Sequence, residues 1–191
     1  MLNTEDVRKL LISEVVAGNI HDTGYDCPSG NQFYEIKNVT FYCDKDYICK
    51  GMHRYDRVNP QWYVDNYETV IRRTEQLTQC VSKLSENQST RQAVIMITGP
   101  DIFYKDPVCT LFSHVTLDKN GDNDFATYNM TYTVHMRSSD AIEFGNDYQW
   151  HVKIVKEIIS MLSDNGIWVS DVKVVWVADS FHIYKDFVKF L

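Results

Sequence analysis

The chain has 191 residues, 44% of them hydrophobic and 13% aromatic, enough to bury one full core and close to the size of a single ordinary domain spanning 1–191. Its 19 Lys and Arg against 26 Asp and Glu leave a formal charge of -7, so no global basic field exists to draw in a nucleic acid polymer or an anionic membrane. Five scattered cysteines without a C-x-x-C pair argue against a disulfide framework or zinc site and point to a reducing cytoplasm; the acidic start carries no leader pattern, and no run approaches the ~20 apolar residues that span a bilayer.

Thr4 is expected to cap a helix with Glu5 and Asp6 in its first turn, Val7, Leu10, Leu11 and Val15 on its apolar face, and Gly18 as its stop. Residues 19–31 are rich in Gly, Asp and Ser. The branched and aromatic run from Gln32 to Tyr42 then reads as β structure. Residues 44–60 read as irregular, ending at Pro60. From Gln61 to Leu84, apolar residues recur at spacings of three and four, which predicts one long helix with Arg72 and Arg73 toward solvent.

Ala93 to Thr98 is a short apolar run before Gly99-Pro100, the pattern of a buried strand. A strand from Cys109 to Leu117 and a return from Phe125 to Met136 form a hairpin across a polar turn. Asp147 to Leu162 is an amphipathic helix closed by Asn165-Gly166, and Ile167 to Ala178 is strand-like again. Helices and strands in this order predict an α+β fold.

Asp118, Asn120 and Asp122 mimic the start of a calcium loop. The sixth position, which needs Gly, is Asn123, and the twelfth, which needs a bidentate Glu, is Asn129, so a polar turn is the better reading. A different set carries more chemistry: Cys109 at a strand start, the cluster Arg137-Ser138-Ser139-Asp140, and His182 with Tyr184 in Asp179-Ser-Phe-His-Ile-Tyr. Each alone has an ordinary explanation, as a core thiol, a solvated turn, or two strand residues facing one way. Their order is what makes them a set.

That order resembles thymidylate synthase, where a Pro-Cys nucleophile opens a strand, an Arg-Ser-x-Asp phosphate and base site follows, and an Asp-x-His-x-Tyr strand closes the sugar site. The matching segments here are Asp106-Pro-Val-Cys109, Met136-Arg-Ser-Ser-Asp140 and Asp179 to Tyr184, with Ser89-Thr-Arg91 upstream. The likeness covers residues 89–184. It implies a thymidylate synthase-like mixed β-sheet packed by a long central helix, in a dimer joined sheet to sheet.

It further implies that Cys109 is the nucleophile and that Arg137 and Ser138 hold the 5′-phosphate of a pyrimidine nucleoside monophosphate, dUMP or dCMP. Arg91 would complete the phosphate site of a second copy in a homodimer. His182 and Tyr184 would bond the 3′-hydroxyl, and Asp140 would lie between substrate and folate, the donor being 5,10-methylenetetrahydrofolate. The types suit the task, since pyrimidine C5 becomes nucleophilic once a thiolate adds at C6, and arginine presents two parallel donors to a phosphate.

Base choice falls to Asn146 or Asp147. An amide reads uracil, a protonated carboxyl reads cytosine, and either residue can instead serve as a cap for a helix beginning at Tyr148. The general base is left between Glu68 and Glu143.

Some parts of the family pattern differ. His21-Asp-Thr-Gly24 lacks the arginine of the family's Asp-Arg-Thr-Gly loop, Gln92 replaces the second subunit-crossing arginine, and Val108 separates Pro107 from Cys109. The C-terminal portion that closes over folate has no counterpart before Leu191, and no folate-facing tryptophan helix is recognisable. Two functions follow: a C5 methyl- or hydroxymethyltransferase, or a nucleotide-binding protein that keeps the pocket without folate chemistry.

Overall fold

The computed structural model describes residues 1–24, 30–43, 68, 71, 74–98, 108–121 and 126–191. It is an α+β protein with a mixed sheet. In chain order the elements are β1 (Leu2–Asn3), α1 (Thr4–Ala17), β2 (His21–Asp22), β3 (Gln32–Tyr42), α2 (Gln76–Glu86), β4 (Val94–Met96), β5 (Thr110–Asn120), β6 (Thr127–Met136), β7 (Ser139–Asp140), α3 (Phe144–Asp164), β8 (Trp168–Tyr184) and a 3-10 turn (Lys185–Phe190). The hydrogen-bonded strand order is β1-β3-β8-β6-β5-β4, with β2 added to β3 and β7 to β8.

Backbone contacts divide the chain into two compact units, each assembled from separate stretches: Met1–Val58, Met136–Asp147 and Trp176–Leu191 in the first, Asn59–His135 and Tyr148–Val175 in the second.

In the first unit, α1 begins one residue earlier than expected. Asn3, not Thr4, is the cap: its side chain accepts from Asp6 N–H at 2.9 Å, and Asp6 Oδ2 accepts from Asn3 N–H at 3.0 Å, so two orphan donors are satisfied reciprocally. Thr4 becomes the first helical residue, and its hydroxyl donates to the Tyr42 carbonyl at 3.4 Å. Gly18, in the left-handed region at φ 72°, ends the helix as the sequence predicts. Val7 and Leu11 are fully buried and α1 lies against β3, where the core is completed by Phe41, Phe144, Trp176 and Phe181. Their rings meet tilted or edge to face, with centroids 5.0 to 5.9 Å apart.

Strand β3 has the bounds the sequence predicts but not the regular phase. Phe41 packs on Phe181, whereas Phe33 packs on His182, the next residue of β8, which points the opposite way. Positions 33 and 41 have the same parity and would share a face in an unbroken strand. Asn38 lies between them at φ 53°. One left-handed residue reverses the alternation, and Asn is among the few that tolerate it.

The second unit holds α2, β4, β5 and β6 with the greater part of α3. The long helix expected from Gln61 to Leu84 does not run unbroken: Glu75 is left-handed at φ 56° and α2 starts only at Gln76. Residues 61–67 and the Arg72-Arg73 pair lie outside the described residues. Strand β4 is half-exposed rather than buried, with Ile95 inward and Val94 and Met96 at 37% and 51% exposure. The Gln76 side chain pairs with the Met96 backbone in both directions, at 2.6 and 2.8 Å, and so covers part of this edge.

Helix α3 begins at Phe144, before the position expected, and buries His151, Ile154, Val155, Ile158 and Leu162 at helical spacing. His151 Nδ1 meets the fully buried Tyr132 hydroxyl of β6 at 2.9 Å.

Asn38→Val should lower stability by about 1–2 kcal/mol, the usual cost of forcing a branched residue into the left-handed region. Urea titration should show a lower midpoint at unchanged slope, with Asn38→Gly close to the parent protein.

Candidate functional site

Strand β6 ends at Met136, and Arg137 and Ser138 make the turn into β7. Strand β7 is two residues long and pairs in parallel with β8, Ser139 against Phe181 and Asp140 against His182. The Ala141 N–H donates to the His182 carbonyl at 2.7 Å. Asp140 Oδ1 accepts from Ile142 N–H at 2.8 Å, the local turn that short acidic side chains favour, and this sends the chain toward α3.

Fixed in this way, Ser138 Oγ stands 3.4 Å from His182 Nδ1, a long contact at the edge of hydrogen-bonding range. Strand alternation puts Ser180, His182 and Tyr184 on one face of β8, and the His182 and Tyr184 rings lie edge to face at 5.1 Å.

Strands β2 and β3 supply a second wall. Phe33 lies edge-on to His182 at 5.9 Å and to Tyr184 at 6.3 Å, with His21 stacked on it at 5.5 Å. Two residues along, Glu35 accepts from the Ser180 hydroxyl at 2.9 Å and pairs with Lys37 at 3.1 Å. Sequence reading assigned no role to His21, Phe33, Glu35 or Lys37. Their one signal was a charged pair, Glu35 and Lys37, at alternate positions in a strand with no other charged residue.

His182 is 8% exposed. Burial lowers its pKa to about 4; Glu35 and a backbone hydrogen bond to Ser180 oppose the shift, and the Arg137 charge adds to it. Burial of Glu35 favours its neutral acid, yet the Ser180 hydroxyl, the Lys37 ammonium and His21 outweigh that and hold the carboxyl below its ordinary range.

At neutral pH the imidazole is therefore uncharged, with one ring nitrogen donating and the other accepting. A neutral imidazole beside a phenol suits a ligand hydroxyl. A guanidinium followed by a serine hydroxyl suits an oxyanion.

The first unit thus brings Ser138, Asp140, His182 and Tyr184 together next to Arg137. Asn146 and Asp147 also belong to it, but inside the first turns of α3 rather than ahead of a helix starting at Tyr148; Asn146 donates from its side chain to Glu143 Oε2 at 3.1 Å and from its backbone to the Glu143 carbonyl. Cys109 and Arg91 belong to the second unit, both exposed, just ahead of β5 and β4. Glu68 and Glu143 are half-buried, and Asp106 and Pro107 lie outside the described residues.

A hollow of about 430 Å³ in the first unit is lined by Gly30, Asn31, Gln32, Lys185 and Asp186, where Lys185 donates to Gln32 Oε1 at 2.9 Å. Among the described residues no three His, Cys, Asp or Glu side chains converge as metal ligands, and no helix is long and apolar enough to cross a membrane. Asp118 and Asn120 are exposed at the end of β5, and Asp122 and Asn123 of the calcium-like pattern lie outside the described residues. No protein-family model and no curated protein matches the chain.

The buried histidines give a pH prediction. His182 takes up its proton near pH 6.5 when unfolded but near 4 when folded, and for His151 burial lowers the value to about 3. Stability is whole above the unfolded value and is lost as pH falls below it, by on the order of 2 kcal/mol per histidine at about pH 5. Urea midpoints across this range should fall, less steeply in His182→Gln, and a slope unchanged by that substitution would contradict the assignment.

Proposed function

We propose that the Arg137–Tyr184 face of the first unit binds a pyrimidine nucleoside monophosphate, and that the protein transfers a one-carbon unit to C5 of the base. The observation that supports this best is the β7–β8 pairing, which brings Ser138 to His182 with Tyr184 on the same face. An oxyanion donor and a hydroxyl reader then lie within one small patch, as the two ends of a sugar phosphate require.

In this reading the Arg137 guanidinium donates two hydrogen bonds to the 5′-phosphate and Ser138 a third. His182 and Tyr184 share the 3′-hydroxyl, the neutral imidazole offering a lone pair that an imidazolium would lack. Asn146 or Asp147 reads the base and separates dUMP from dCMP.

On the sequence likeness alone Cys109 is the nucleophile: its thiolate would add to C6, the electron pair would move through C5 onto the C4 substituent, and C5 would become nucleophilic. Once C5 is substituted, its proton passes to a base and Cys109 is expelled as the C5–C6 double bond re-forms. The donor, when bound, would supply the one-carbon unit, leave as its own bond to that carbon breaks, and give the hydride for a methyl product, whereas water would complete a hydroxymethyl product. Asp140 is assigned to the substrate side facing the donor, and Glu68 and Glu143 stand as candidates for the base.

The donor assigned on the same resemblance is 5,10-methylenetetrahydrofolate. Asp140 Oδ1 accepts from Ile142 N–H, and the hollow lined by Gly30, Asn31, Gln32, Lys185 and Asp186 offers no aromatic platform for a pterin. Folate therefore rests on the sequence likeness alone, as does a homodimer in which the exposed Arg91 of each copy serves the other's phosphate.

A second reading, nucleotide binding without transfer, is favoured by the turn after β2. Asp22 Oδ1 accepts from Gly24 N–H at 2.9 Å, so a carboxylate stands where the resemblance calls for a phosphate-binding arginine.

Incubation with C5-tritiated dUMP, dCMP, UMP and CMP together with methylenetetrahydrofolate should release tritium in a Cys109-dependent way, lost in Cys109→Ala. Binding without release supports the second reading. Arg137→Ala should weaken nucleoside monophosphates roughly tenfold to a hundredfold, the range of one charge-assisted contact, and nucleosides little. Equal weakening of both would remove Arg137 from the phosphate site.

A further inference from the structure

We propose that Glu35 is a positioning residue: fastened by Ser180 and Lys37 on the wall facing Ser138, it holds the His182 imidazole in a single orientation and a single neutral tautomer. The inference rests on reading Ser138, His182 and Tyr184 as the sugar end of a nucleotide site. It concerns a residue of β3, outside the segments that carry the family likeness.

Geometry carries it. Glu35 is pinned from two sides, by the Ser180 hydroxyl at 2.9 Å and the Lys37 ammonium at 3.1 Å, and its side chain is only 10% exposed. Ser180 is the shared link, since its hydroxyl donates to Glu35 and it lies two residues before His182 on the same face of β8.

The ring is braced elsewhere by Ser138 Oγ at Nδ1 and by the edge-on Phe33, which Glu35 shares a strand face with. The charged and titratable groups around the imidazole are Glu35 and Lys37 from β3, His21 from β2 behind Phe33, Arg137 from the turn, Asp140 from β7 and Tyr184 from β8. Of those whose charge reaches His182, Glu35 is the anion and Arg137 the cation.

An imidazole can flip about its ring axis and exchange the positions of its donor and acceptor nitrogens, which scrambles any hydroxyl it reads. A fixed carboxylate removes that degeneracy, because the orientation with N–H on the Glu35 side is favoured over its flipped alternative. The remaining nitrogen then keeps one role toward the ligand. The Ser180 hydroxyl first, and the Lys37 ammonium after it, keep the carboxylate ionised in spite of its burial.

The test reads the ring directly in ligand-free, nitrogen-15-labelled protein, with the His182 signals assigned by their loss in His182→Gln. The parent protein should show one pyrrole-like and one pyridine-like nitrogen at neutral pH. Glu35→Gln and Ser180→Ala should move both toward averaged values, with Glu35→Asp in between, while near-ultraviolet dichroism confirms the fold.

Nucleoside monophosphate affinity should drop about tenfold in Glu35→Gln, and little in Lys83→Ala, a control in the other unit. Unchanged ring signals in a folded Glu35→Gln, with Ser180→Ala agreeing, would overturn the proposal. If the signals move but the parent binds no nucleotide, the positioning role stands and the nucleotide reading falls.

Discussion

The candidate site depends on a two-residue parallel pairing. Strand β7 is too short to hold itself, and its placement beside β8 rests on the Ala141 to His182 backbone bond and on the core beneath it. Phe181 and Ile183, the neighbours of His182, are buried, and Phe181 interlocks with Phe41 and Phe144. Because side chains alternate along a strand, driving Phe181 and Ile183 inward drives His182 and Tyr184 to the opposite face. The candidate site is thus on the reverse side of the strand whose other face lines the hydrophobic core.

Electrostatics on that face are arranged around a neutral group. A buried imidazole lies between an anion, Glu35, and a cation, Arg137, and their effects oppose, so burial decides and the ring stays uncharged. For reading a hydroxyl this is favourable, since the ring keeps both a donor and an acceptor. It also leaves the ring without a positive charge of its own beside Arg137.

Much of the fold was legible from periodicity. Strand β3 has the bounds its branched and aromatic run implies, α1 stops at Gly18, and β5, β6 and α3 occur where alternation and helical spacing put them. The departures have local causes. Asn3 outcompetes Thr4 as cap because it forms a reciprocal pair with Asp6, and the helical pattern through Leu84 breaks at a left-handed Glu75 that apolar spacing does not register. The apolar run at Ala93 reads as buried, but β4 is the last strand in the order, and Val94 and Met96 face outward. Helix α3 gains a turn because Phe144 belongs to the aromatic core and not to a loop.

The sequence by itself determined which residues have the chemistry: an arginine and hydroxyls in one short cluster, an imidazole and a phenol at alternate positions, and a cysteine at a strand start. Identity and spacing suffice for that, since they specify donors, acceptors and which neighbours share a face. Tertiary structure alone decided that β7 lies parallel to β8 and that Ser138 meets His182, because pairing between segments some 40 residues apart leaves no trace in local pattern. It also decided that Phe33 and Glu35 join them. That depends on the reversed phase at Asn38, a single backbone angle that no hydrophobic periodicity encodes.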